Sequence, residues 1–126
     1  MRLVVDTSVL IDHLRNHTPA VQLLIAAVRG GDELWSVSVV RTEVLVGMRP
    51  GEESATYRLL DQLRWLDVDV ELANRAGELG RRYLRSHPGV DTVDYLLAAA
   101  TQTLEARLVT SNVRHFPMFS DLEAAY

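Results

Sequence analysis

The sequence of 126 residues predicts an α/β fold around a central, mainly parallel sheet of short strands. Three observations lead there. Short apolar runs alternate with longer segments of helical period. The apolar runs lack the polar alternation of a half-solvated strand, as strands covered on both faces do. The stretches between them are long enough to hold crossover helices. The length suits a single domain over residues 1–126, without room for a second core. A composition of 48% hydrophobic and 24% charged residues supplies that core and excludes disorder as the main state.

Leu3-Val4-Val5 reads as a buried central strand ending at Asp6. Ser8 to Leu14 follows as a short helix carrying Val9, Leu10, Ile11 and Leu14. Thr18 as N-cap and Pro19 in the first turn open an amphipathic helix with Val21, Leu24, Ile25 and Val28, stopped by Gly30-Gly31. Leu34 to Val37 is a second buried strand, after which Val40, Glu43, Val44 and Gly47 return to helical spacing until Pro50-Gly51. Glu52 to Leu63 predicts another helix, and Leu66-Asp67-Val68 a short edge strand. A long helix runs from Glu71 to about Arg85 and stops at His87-Pro88-Gly89; Asp91 opens the next, which extends to about Glu105. Leu108-Val109-Thr110 is the last strand, leading to Asn112, His115 and the Phe116-Pro117 boundary.

Residue types that are missing narrow the chemistry. Without cysteine there is no disulfide framework, thiolate nucleophile, cysteine-based zinc site or iron–sulfur cluster. All 13 basic residues are arginine, which removes phosphate-binding P-loops, Schiff bases and receiver-type aspartyl phosphorylation, each of which needs a lysine. The turn after the first strand reads Asp6-Thr7-Ser8-Val9 and lacks a dinucleotide-binding glycine fingerprint, and no nucleophile elbow is present. Against 17 acids the net charge is −4, so the chain as a whole does not draw in polyanions. The longest apolar run, Ala20 to Val28, is far shorter than the roughly 20 residues that span a bilayer. Asp6 interrupts the first apolar stretch before a signal peptide can form, so the expected location is the cytoplasm.

In parallel sheets, functional groups gather beyond the carboxyl ends of the strands. Asp6 ends strand one, Glu43 lies on the helix after strand two, Asp94 on the first turn of a late helix, and Asn112 just past the last strand. Three carboxylates and an amide brought together need a cation to offset their charge, and this oxygen set suits Mg²⁺ or Mn²⁺. The matching reaction class is metal-assisted phosphodiester hydrolysis. Each residue also has an ordinary structural reading. Asp6 reads equally as the N-cap of the short helix; Glu43 as a solvated helical position; Asp91 and Asp94 as a capping box; Asn112 as a turn residue. His13 and His17 are four apart, as zinc ligands on a helix are, but Thr18-Pro19 indicates that the helix has ended, so no zinc site is expected.

Taken together, four blocks resemble the PIN domain, and within it the VapC-type ribonuclease toxins of toxin–antitoxin pairs. The blocks are Val4-Val5-Asp6-Thr7-Ser8-Val9-Leu10-Ile11-Asp12; Ser38-Val39-Val40-Arg41-Thr42-Glu43-Val44 through Gly47; Asp94-Tyr95-Leu96-Leu97-Ala98-Ala99-Ala100-Thr101; and Leu108-Val109-Thr110-Ser111-Asn112 with His115-Phe116. They occur in the family's order and span nearly the whole chain. The resemblance implies a PIN-like α/β/α sandwich and a cytoplasmic, Mg²⁺- or Mn²⁺-dependent endoribonuclease. It also implies a homodimer neutralised by a small VapB-like antitoxin in a heterotetramer or larger assembly, with no membrane association. It assigns Asp6 and Asp94 as principal metal ligands and Glu43 as the third acid. The fourth acidic position of the wider family falls on Asn112, which bears no charge, and Asp91, one helical turn from Asp94, is a candidate to supply the missing charge. Thr7, Ser8, Thr110 and Arg82 are candidates for orienting the acids or contacting substrate, and His115 for substrate contact or packing. The competing reading is a catalytically weak PIN-like module that acts by binding RNA or protein.

Overall fold

The computed structural model describes all residues from Met1 to Tyr126. Four strands, β1 (Arg2–Val5), β2 (Glu33–Val37), β3 (Arg64–Leu66) and β4 (Arg107–Val109), form one sheet in the order β3-β2-β1-β4, and every pairing is parallel. The helices are α1 (Thr7–Leu14), α2 (Thr18–Arg29), α3 (Ser38–Val46), α4 (Glu53–Leu60), α5 (Val70–Tyr83) and α6 (Thr92–Thr103), with a 3₁₀ turn over Val113–His115. This is the expected α/β architecture. Val4 and Val5 point to opposite faces of the sheet, yet both are fully buried, so helices cover both faces at β1. On one side α6 lies on β1, β2 and β4 with α5 packed behind it; α2 and α3 reach β2, and α1 packs against both of them. A single cluster of 28 buried apolar side chains links these layers.

Because the strands are parallel, their carboxyl ends share one edge of the sheet. Val5 is in register with Val109, and the Asp6 N–H continues the ladder to the Val109 carbonyl at 2.9 Å. Residues that follow β1 and β4 in sequence therefore become neighbours.

Three local expectations shift. Thr18 is the first helical residue of α2 rather than its N-cap; His17 holds the cap position without a side-chain bond, and Pro19 remains in the first turn, where no intrahelical donor is needed. The helix expected to reach Leu63 ends at Leu60, and Gln62 and Leu63 donate to carbonyls only three residues back, as a tightening last turn does. The edge strand expected at Leu66–Val68 lies two residues earlier. Pairing with Trp35, Ser36 and Val37 selects Arg64, Trp65 and Leu66, leaving Val68 exposed. A three-residue strand carries too little pattern to set its own register.

Candidate metal and phosphodiester site

Asp6 occupies the N-cap position of α1, but its side chain makes no capping bond. Its carboxylate is buried, and two hydroxyls donate to one oxygen, Oδ2: Thr110 Oγ1 at 2.6 Å and Ser8 Oγ at 3.3 Å. Thr110 Oγ1 also accepts the Asn112 N–H at 2.9 Å, and Ser111 Oγ donates to Ser8 Oγ at 3.1 Å. Thr110 is fully buried and lies behind Asp6, so of the two roles open to it from the sequence its hydroxyl takes the orienting of a carboxylate.

Glu43 is half-buried on α3, not freely solvated, and Thr7 Oγ1 donates to its Oε1 at 2.6 Å. The first two residues of α1 thus orient two different acids, Thr7 holding Glu43 and Ser8 holding Asp6. Neither hydroxyl turns back to local backbone, the ordinary outcome for Ser and Thr at a helix start.

Asp91 and Asp94 form the capping box expected from their spacing. Asp91 Oδ1 accepts the Asp94 N–H at 3.1 Å, and Asp94 Oδ2 accepts the Asp91 N–H at 3.1 Å. Asp94 Oδ2 also lies 3.2 Å from His115 Nδ1. Burial pushes the Asp94 carboxyl up to about 6; the Asp91 N–H opposes this, the Asp91 charge raises it again, His115 lowers it, and Asp6 adds a further upward push. The two buried acids are therefore close enough to feel one another's charge.

Asn112 sits at the head of the 3₁₀ turn with its side chain exposed and without a capping bond. Arg82 is exposed on α5 and takes no part in this hydrogen-bonded network. His13 and His17 fall on separate elements; the His17 ring packs on Tyr126 with centroids 5.2 Å apart, and His13 Nδ1 is buried without a partner. Sequence reasoning did not single out Tyr126, whose hydroxyl donates to Asp12 Oδ2. Burial and the adjacent Asp12 push that hydroxyl above the usual tyrosine range, which keeps it protonated and a donor. No local signal marks a contact between residues 114 positions apart.

As they stand, no three His, Cys, Asp or Glu side chains converge on one point as a closed ion cage. Mg²⁺ and Mn²⁺ do not require one: such ions are commonly held by one or two carboxylates and keep several waters. The donors are hard oxygens, and the buried carboxylate pair carries an excess of negative charge, so the site suits a hard divalent ion. Such an arrangement has the elements for hydrolysing a phosphodiester, with acids to hold an ion and fixed hydroxyls behind them.

The PIN domain family profile matches residues 3–121. Ribonuclease VapC19 of Mycobacterium tuberculosis is 42% identical over 123 residues, covering 98% of each chain. Ribonuclease VapC10 of the same organism is 40% identical over 125 residues, covering 98% of this chain and 92% of the relative. Among solved structures, a toxin–antitoxin complex from Klebsiella pneumoniae superposes with a TM-score of 0.82 at 22% identity, covering 98% of both chains.

Proposed function

The chain belongs to the PIN-domain family, among its VapC ribonucleases, and from that premise we propose that residues 1–126 act as one domain, a divalent-metal-dependent endoribonuclease toxin working at the Asp6–Asp94 crevice. The observation that supports this site above others is the buried pair itself. Asp6 and Asp94 arrive from opposite ends of the sequence, each held by its own donors, and burial with neighbouring negative charge disfavours ionised Asp94. A bound cation would reverse that preference.

Asp6 and Asp94 would hold Mg²⁺ or Mn²⁺, with Glu43 as the third acid and Asp91 adding charge one helical turn away. When bound, such an ion supplies Lewis-acid polarisation of the phosphate and lowers the pKa of water. The chain's own residues set the geometry. Thr110 and Ser8 fix the rotamer of Asp6, so little reorientation is left for the moment of binding. Thr7 aims Glu43, leaving Oε2 available to accept a proton or a water hydrogen bond. His115 and the Asp91 N–H share Asp94 Oδ2, which holds the second acid still. Thr7 and Ser8 are only half-buried and sit at the mouth, but each has a single O–H, so to donate to a phosphate oxygen either would have to turn away from the acid it holds. Arg82 and the neighbouring exposed Arg81 and Arg85 offer guanidinium groups for the RNA backbone further out.

A VapB-like antitoxin is the partner this reading implies, in a heterotetramer or larger assembly built on a toxin homodimer. The fold match to a toxin–antitoxin complex supports it, as do exposed apolar side chains such as Val46 and Val70, 82% and 77% accessible. No helix is long and apolar enough to cross a membrane, and the expected place of action is the cytoplasm.

The test is direct. Purified antitoxin-free protein is incubated with total cellular RNA in Mg²⁺, Mn²⁺ or EDTA, beside an Asp6→Asn control. Discrete fragments that need metal and vanish in the control are expected. Intact RNA in every lane, with the protein folded and metal-loaded, would move the reading to a binding module.

A further inference from the structure

The donors that hold Asp6 come from two separate elements. Ser8 belongs to α1 and Thr110 to the segment leaving β4, where the next residue, Ser111, donates to Ser8 and not to Asp6. Across their mouth, the Ser111–Ser8 hydrogen bond at 3.1 Å is a single exchangeable hydroxyl pair. A third piece of chain bridges the same two elements. The Ala125 N–H donates to the Thr110 carbonyl at 2.8 Å, and the next residue, Tyr126, donates its hydroxyl to Asp12 Oδ2 one turn along α1 from Ser8. The His17 ring, just beyond α1, packs on the Tyr126 ring.

We propose that Ala125-Tyr126 and Asp12 form a clamp that fixes α1 against the end of β4 and so positions the Asp6 carboxylate, making Tyr126 a positioning residue of the crevice. The inference rests on the metal-dependent reading above and extends it to residues outside the acidic set. Tyr126 is 39% exposed, too open to act chiefly as core. Its bonds constrain instead how far Thr110 and Ser8 stand apart, and with them the orientation of the oxygen both donate to. Groups that orient a ligand from behind commonly change metal affinity without touching the ion.

The experiment uses the whole chain as Tyr126→Phe, Asp12→Ala and the double variant, each checked for folding by its melting temperature. Amide exchange in the metal-free protein is read at Asn112 and Ala125, whose N–H groups are held by Thr110. Faster exchange there, with β1 amides unchanged, is expected in all three variants. Mn²⁺ affinity by calorimetry should fall about three- to tenfold in each single variant, with the double no worse than either, because one contact has been cut twice. In RNA cleavage at sub-saturating Mn²⁺, kcat should fall with KM for RNA unchanged.

Unchanged Mn²⁺ affinity in folded Tyr126→Phe would overturn the proposal, as would additive losses or a change confined to KM, which would make Tyr126 a substrate contact. Faster exchange without any loss of affinity would reduce the clamp to a structural tie and likewise overturn its positioning role. Failure of the wild-type protein to bind Mn²⁺ would refute the metal-dependent function and with it the metal side of the clamp, while the exchange data alone would still report whether the bridge exists.

Discussion

Thr110 Oγ1 lies 2.6 Å from Asp6 Oδ2, joining residues 104 positions apart inside the protein. The same hydroxyl oxygen accepts the Asn112 N–H, so it links the acid after β1 to the turn after β4. Thr110→Val, similar in shape but without the hydroxyl, should destabilise the fold by about 1–3 kcal/mol and weaken Mn²⁺ binding about tenfold or more. Thr110→Ser should restore most of both. Urea melts and calorimetry on the pair of variants check this; equal losses in Val and Ser would assign the effect to packing instead.

The Asp94 carboxyl, at about 6 in the fold against an ordinary 3.8, makes the metal-free protein sensitive to pH. A folded-state value above the unfolded one means that stability from this group is fully present at low pH and lost as pH rises through about 6. Asp94→Asn should abolish cleavage yet raise metal-free stability at pH 7 by about 1 kcal/mol, since solvent screens part of the charge penalty that the substitution removes. Denaturation curves between pH 4 and 8 would show the difference shrinking as the wild-type acid protonates.

His13 works in the opposite direction. Burial lowers its pKa below 6.5, and Nδ1 is buried without a partner. A base whose folded value is depressed binds protons more readily unfolded, so stability is full above 6.5 and falls as pH drops towards the folded value. His13→Leu should flatten that acid-side decline and leave stability at pH 8 little changed. A decline of the same steepness in the variant would remove His13 as its source.

Asn112 stands where an added charge meets no competing hydrogen bond, since its side chain is exposed and caps nothing. Asn112→Asp should tighten Mn²⁺ about tenfold by adding a carboxylate at the crevice. Calorimetry giving equal or weaker affinity would place position 112 out of reach of the ion.

Two glycines three residues apart on α5 should respond with opposite signs. A Cβ on Gly80 would approach Cδ2 and Cε2 of Tyr95 at 3.3 Å, and that buried ring lies between α5 and α6. A Cβ on Gly77 meets nothing within 4 Å. Gly77→Ala should therefore stabilise by about 0.5–1 kcal/mol through helix propensity, whereas Gly80→Ala should lose about 1 kcal/mol because overpacking outweighs that gain. Thermal melts of the two variants give both signs.

The alternation of strands and helices, the parallel sheet, the Asp91–Asp94 capping box and the edge at which Asp6, Glu43, Asp94 and Asn112 would lie are all legible in the residues alone. Those signals are local: hydrophobic period, caps, and the rule that parallel strands end together. What each side chain does there depends on contacts between residues far apart in the chain. Asp6 stands at a cap position without capping, while distant Thr110 and nearby Ser8 both donate to its Oδ2. β3 slid two residues because β2, not its own short pattern, chose the register. Thr110 turned inward, Thr7 reached across to Glu43, and Tyr126 found Asp12. A hydroxyl or carboxylate has many partners within local reach, and which one it keeps depends on what the folded chain brings closer; that competition is settled in three dimensions, where sequence distance carries no weight.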